Sequence, residues 1–225
     1  MKTINENPLT LMESILTRTG HETWGWHIYR GTYNSDNDWS DFMTQLKATS
    51  QSALDRHGAT DAQAKKQIWT VVEDRERLEN ATKSDVRRMF KDWVNSPEAA
   101  AEQPNAITPP SVVRLSRYLY CMHVDEESLR SVLDDSDDWH VNIVERDWVL
   151  EEEQGEEEEN EEGEDPDAEE FDDEEAEILP EIEGCTEEDV GWTKASQGIL
   201  VGRYVELCDH NFWYDYSTRP PQIAL

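Results

Sequence analysis

Apolar residues recur along this chain in two alternating rhythms. In "WGWHIYRGTY" the period is two, with Trp24, Trp26 and Ile28 on one side and His27 and Tyr29 on the other, which predicts a half-buried first strand. In "SDNDWSDFMTQLKATSQSALDRHG" the period is helical. Trp39, Phe42, Met43, Leu46, Ala53 and Leu54 form one stripe, Ser35 to Asn37 offer caps, and Gly58 gives a stop. The alternation then repeats. "KKQIWTVV" is a β-rich run around Ile68, Trp69, Val71 and Val72, and "NATKSDVRRMFKDWV" opens on a Thr82/Asp85 variant of the capping box with Val86, Phe90, Trp93 and Val94 on its apolar face. Upstream, Asn7 as N-cap, Pro8 at the first helical position, and Gly20 as stop bracket a short helix with Leu11, Met12, Ile15 and Leu16 on one stripe.

Residues Asn95 to Ser111, rich in proline, read as a long connection across the domain. Beyond it come a strand over Arg117–Val124, a helix from Glu126 to Leu133 capped by Asp125, and a strand within "DWHVNIVERDWV". The resulting β-α-β-α-β-α-β pattern predicts an α+β fold: a small mixed sheet of four to five strands with helices mainly on one face, a variant of the ferredoxin-like sandwich. A fully parallel doubly wound sheet is the alternative, but no strand is followed by a Gly-rich phosphate loop.

Charge divides the chain further. Of the 52 Asp and Glu residues, nineteen fall within Glu151–Glu177, a stretch without Lys or Arg, and removing them takes the net charge from −32 to −13. Such a run cannot bury enough apolar area to offset its chain entropy, so it is expected to be a solvated, disordered loop. The predicted organisation is a helical segment over 1–20, an α+β domain over 21–150, the acidic loop over 151–189, and a C-terminal segment over 190–225 that returns to the same core. Nine tryptophans, Trp24 and Trp26 among them, supply large buriable surface and read mainly as core packing, while "NFWYDYSTRPP" is the most concentrated aromatic stretch.

The acidic balance disfavours DNA and anionic membranes, which require a net positive face, and no segment has the about 18 to 20 apolar residues of a membrane span. Three cysteines and the absence of a basic-then-apolar leader at Met1 place the chain in the cytoplasm or nucleus.

"GWHIYRGTYNSDNDWSDFMTQLK", "VEDRERLENATKSDVRRMFKDWV" and "GRYVELCDHNFWYDYSTRPP" together resemble a family of uncharacterised intracellular proteins of filamentous ascomycete fungi, over most of the chain outside the acidic run. That family has no established activity, cofactor or catalytic residue. The resemblance implies a fungal setting and a cytosolic α+β domain, and assigns no site.

Two residue sets carry candidate chemistry. Cys121 with His123 and Cys208 with His210 share a two-residue spacing, so extended strands would present each pair on one face, and four such groups suit tetrahedral zinc. Usual zinc spacings are wider, and buried thiols with surface imidazoles are the plainer reading. The second set follows from strand phase: His27, Tyr29, Cys121, His123, His140 and Asn142 fall opposite the more apolar faces. On an open sheet face the three imidazoles would serve as general acid or base, and Tyr29 or Asn142 would bind a carbonyl or hydroxyl oxygen. In dimeric α+β barrels two such faces close over a small-molecule pocket, which makes a homodimer one arrangement for this chain. No nucleophile elbow, phosphate loop, zinc-protease helix, EF-hand or kinase motif occurs, and no cofactor is expected.

Two functions remain. The first is an interaction or accessory module whose acidic run steers a basic protein partner. The second is a small-molecule lyase, isomerase or cyclase of fungal specialised metabolism, using the sheet-face histidines.

Overall fold

The computed structural model describes residues 7–134, 139–150 and 179–224. Strand β1 (Trp24–Arg30) lies between β2 (Gln67–Val72) and β3 (Tyr120–Val124) and runs parallel to both. β4 (Val141–Glu145) pairs antiparallel with β3, β5 (Trp192–Ala195) antiparallel with β4, and β6 (Ile223–Ala224) parallel with β5, giving the order β2-β1-β3-β4-β5-β6. The sheet therefore has six strands instead of the expected four to five. The additional ones come from the C-terminal segment, which was expected only to return to the core and in fact pairs with β4 and extends the sheet.

The helices begin and end where local chemistry dictates. α1 (Pro8–Thr19) is capped by the Asn7 side chain on the Leu9 N–H and stopped by Gly20 at φ 73°. α2 (Asp36–Arg56) and the short α3 (Asp61–Ala64) carry the chain from β1 to β2. α4 (Arg75–Leu78), α5 (Lys83–Val94), α6 (Pro97–Glu102) and α7 (Ser116–Leu119) carry it back across β1 to β3. At the start of α5, Thr82 and Asp85 form the reciprocal capping box. α8 (Glu126–Leu133), capped by Asp125, joins β3 to β4, and α9 (Asn211–Tyr216) precedes β6.

Both sheet faces are covered, contrary to the expectation of helices mainly on one. Every residue of β1, β3, β4 and β5 is buried. On one face Trp24 and Trp26 pack edge-on against Tyr204, Tyr120 stacks on Trp213, and Arg30 lies over the Trp39 ring of α2. On the other, His27 and Tyr29 meet Phe90 of α5. The open face on which a small-molecule pocket or a second copy was expected to close is thus already filled, because the amphipathic α5 packs there and the aromatic C-terminal segment takes the opposite side.

Three boundaries differ from expectation. Residues 117–119 are helical in α7 where a strand was predicted, and this turn sends Arg117, fully buried, to Glu102 and Thr70. The fourth strand stops at Glu145. Composition groups residues 179–189 with the acidic loop, yet a bridge joins Ile182 to Cys185, Cys185 is buried, and Glu183 accepts the Lys83 and Ser84 N–H groups of α5. The expectation of disorder over 151–178 falls outside the described residues. Gly25, at φ 126°, permits the close approach of β2: a Cβ there would stand 2.0 Å from the Ile68 carbonyl oxygen.

Candidate functional site

Parallel and antiparallel pairing place Val72, Tyr29, His123, Asn142 and Lys194 side by side across five strands, on one face of the sheet. His27 and Cys121 belong to the neighbouring row on that face, since they stand two residues before Tyr29 and His123. Five of the six residues read from strand phase are therefore brought together. The sixth, His140, lies one residue before β4, buried, its backbone N–H and carbonyl both bonded to the Ser131 hydroxyl of α8.

What surrounds this row decides its chemistry. His27 is 2% exposed and lies against Trp93, ring centroids 3.6 Å apart; His123 is 1% exposed beneath the Gly31 backbone. Neither imidazole has a hydrogen-bond partner on either nitrogen among the described residues. Burial, reinforced by the Arg117 charge, drives the His27 pKa down to about 2. Burial, reinforced by Lys83 and opposed by Asp125, takes His123 to about 4. Both rings are neutral at physiological pH, and neither reaches solvent. Burial also pushes the Tyr29 hydroxyl and the Cys121 thiol far up, so both stay protonated. Tyr29 lines a surface cavity of about 410 Å³, with Val72, Met89 and Trp93 among its walls.

The polar end of the row is a structural brace. Asn142 Nδ2 lies 2.9 Å from Asp125 Oδ2 and 2.9 Å from Ser128 Oγ, tying β4 to the first turn of α8. Burial raises the Asp125 pKa, but the Lys83 ammonium at 2.8 Å, the Ser128 N–H and His123 together outweigh it and hold the carboxyl well below the usual range.

The two Cys/His pairs do not converge. Cys121 shares the face of His123, whereas Cys208 lies beside Ser116 and the Tyr204 carbonyl on the face bearing Trp24 and Trp26. His210 instead bonds Glu145, Nε2 to Oε1 at 2.5 Å. Among the described residues no group of three or more His, Cys, Asp or Glu side chains is placed to hold a metal ion.

The Glu145–His210 pair is the arrangement that sequence reasoning missed. Glu145 ends β4 and is 5% exposed, and its partner arrives from the turn before α9, sixty-five residues later. Burial raises the Glu145 pKa, and the His210 hydrogen bond opposes the rise. The pair opens on a cavity of about 520 Å³ walled by Asp147, Trp148, Glu188, Asp189 and Tyr214. Tyr214, 62% exposed, meets the His210 ring edge-on at 5.3 Å. A carboxyl whose pKa is raised by burial and which is bonded to an imidazole can hold or pass a proton at the cavity wall, and the surrounding carboxylates favour a cationic guest. The only signal in the sequence was a carboxylate in the apolar run "VNIVE", a residue type rarely buried unless paired.

Comparisons with protein-family models, with curated proteins and with solved structures find no match. Among the described residues no helix is long and apolar enough to cross a membrane.

Proposed function

We propose that the protein is an interaction module of the fungal cytoplasm or nucleus that captures a basic protein partner. The observation that carries this reading is the continuity of negative charge. The sequence enters the nineteen-carboxylate run directly after Leu150, and the folded residues on either side of that run, Asp147, Glu187, Glu188 and Asp189, wall the acidic cavity beside Trp148 and Tyr214. The long run draws a cationic surface in from a distance, and the cavity with its two aromatic rings gives one Lys or Arg side chain of the partner a fixed seat. The test is a titration with a lysine-rich protein at rising ionic strength. Affinity should fall steeply with salt, fall again on deletion of residues 151–177, and fall separately in Glu187→Gln/Glu188→Gln. Binding that ignores salt, the deletion and the double substitution together would reject the reading.

A second reading, a small-molecule lyase, isomerase or cyclase, is favoured by one observation, the buried Glu145 bonded to the half-buried His210 at the wall of a cavity. In that case the acid and base are this pair and not His27, His123 or His140, which lie 2%, 1% and 3% exposed. A retained metabolite in native mass spectra of protein taken from its own cells, lost in His210→Gln, would support it. A spectrum of the bare chain or of a complex with a basic protein would count against it.

A further inference from the structure

The chain has 20 basic residues against 52 acidic ones, yet four of the twenty gather at one cavity. Arg87, Arg88 and Lys91 come from one side of α5, where positions three and four apart are neighbours, and Arg146 comes from the residue after β4. The cavity measures about 290 Å³, and its facing wall is apolar, built from Trp148, Leu150, Ile182 and their neighbours. It adjoins the acidic cavity across Trp148 but has the opposite sign.

The charges in it are unevenly matched. Arg146 is answered by the Asp147 carboxylate beside it. Arg88 pairs with Asp85 at 2.7 Å, but Arg88 is 71% exposed, and such pairs hold little. The carboxylate of Glu183, which also lines the cavity, is committed to the first N–H groups of α5. Arg87 has no carboxylate partner at all among the described residues: its Nε donates to the Glu145 carbonyl at 2.8 Å and its Nη2 to the Gly191 carbonyl at 2.9 Å, while the guanidinium lies over the Trp148 ring at 4.6 Å. Lys91 makes no ion pair among the described residues. Arg87, only 9% exposed, and Lys91 thus face one cavity without an ion pair among the described residues, the Glu183, Glu145 and Asp189 carboxylates acting on Arg87 and Asp147 on Lys91 from beyond ion-pair distance. Taking a guanidinium out of water is costly unless an anion compensates it.

The geometry points to this cavity as a binding site for a small phosphate monoester with a flat apolar body. Four cations line the cavity against one carboxylate, Glu183, so a dianion suits it, with Arg87 and Lys91 as donors and Arg88 as a third at the rim, and guanidinium and ammonium groups are the usual donors to phosphate oxygens. The Trp148, Leu150 and Ile182 wall takes the body of the ester, and the volume fits one ring with its phosphate. No phosphate loop is involved, because here the donors are side chains of one helix face. The site is independent of the basic-partner reading and stands or falls separately from it.

Phenyl phosphate is the probe, titrated by calorimetry into the full chain, with nitrogen-15 spectra locating the Arg87 Nε–H and Trp148 indole signals. Saturable binding should move both signals, and benzoate, carrying one charge instead of two, should bind about tenfold more weakly. Lys91→Gln, an exposed position outside the core, should weaken phenyl phosphate by about tenfold while Lys91→Arg retains it. Near-ultraviolet circular dichroism confirms that each variant is folded. The proposal is overturned by any of three results: no saturable binding at about millimolar ligand, equal affinity in Lys91→Gln, or perturbations that map away from Arg87 and Trp148. Benzoate binding as tightly as phenyl phosphate overturns the phosphate assignment.

Discussion

His27 lies against Trp93 with 3.6 Å between ring centroids and 34° between planes, in a setting where its two nitrogens find no hydrogen-bond partner among the described residues. The ring is held as an aromatic plate in the layer between sheet and α5. His123, one strand away under Gly31, is likewise buried with both nitrogens unpartnered among the described residues. A fold that stores two imidazoles in neutral form has a definite response to acid.

In the unfolded chain each histidine titrates near about 6.5, whereas the folded values are about 2 and about 4. Between those limits unfolding takes up protons, so stability is highest above pH 6.5 and declines as pH falls through that value. From pH 6.5 to 4 each of the two should cost on the order of 1 kcal/mol per pH unit, and below pH 4 only His27 continues. Guanidinium denaturation at stepped pH measures this slope. His27→Phe, which keeps the stack on Trp93, should remove about half of it; an unchanged slope would mean that His27 is not buried neutral.

Gly31 sets the roof over His123. A Cβ at this position would stand 2.4 Å from the imidazole Nε2 and 3.1 Å from the Val124 carbonyl oxygen. Because His123 is fixed in a central strand, the clash has nowhere to go, and Gly31→Ala should destabilise the protein by about 1–3 kcal/mol. The same substitution in a His123→Ala background should cost less than it does alone. A double-mutant cycle on thermal unfolding decides this, with additivity of the two changes refuting the contact.

Much of this architecture is legible along the chain, and the failures have physical causes. Asn7, Pro8, Gly20, Ser35, Thr82, Asp85 and Asp125 announce their helix ends because capping is local chemistry between residues a few positions apart. Strand phase puts His27, Tyr29, Cys121, His123 and Asn142 on one face for the same reason. What covers that face is not local: α5 arrives through a crossover, and two-residue alternation cannot tell a solvated histidine from one pressed on Trp93. The pairing of Glu145 with His210 spans sixty-five residues and depends on the C-terminal segment joining the sheet; the carboxylate in "VNIVE" hints that a partner exists, but nothing in "VNIVE" or "ELCDHN" says which residue it is.

Arg117 is fully buried and its Nη2 and Nε reach both oxygens of Glu102, at 2.5 and 2.8 Å, with Thr70 as a further acceptor. Removing the carboxylate alone leaves a guanidinium in the core without its partner, so Glu102→Ala should cost about 3–5 kcal/mol. Arg117→Met removes the charge as well as the bonds, and Glu102→Ala/Arg117→Met should be more stable than Glu102→Ala by itself. If the double variant is the weaker of the two in chemical denaturation, the pair contributes more than charge compensation and this account fails.

The Glu145 carboxyl is under two opposed influences, burial raising its pKa and the His210 bond lowering it. Deleting the imbalance on one side gives a signed result. In His210→Ala the lowering contribution disappears while burial by Tyr120 and the β4 strand remains, so the Glu145 midpoint should rise above its value in the unaltered chain. His210→Gln, which can still donate one hydrogen bond but carries no charge, should fall between the two. The side-chain carboxyl carbon-13 shift of Glu145 followed through a pH titration measures all three directly. A midpoint that drops when His210 is removed would show that water, entering the cavity in place of the ring, solvates the carboxylate better than the imidazole does, and the proton-holding role assigned to this pair would go with it.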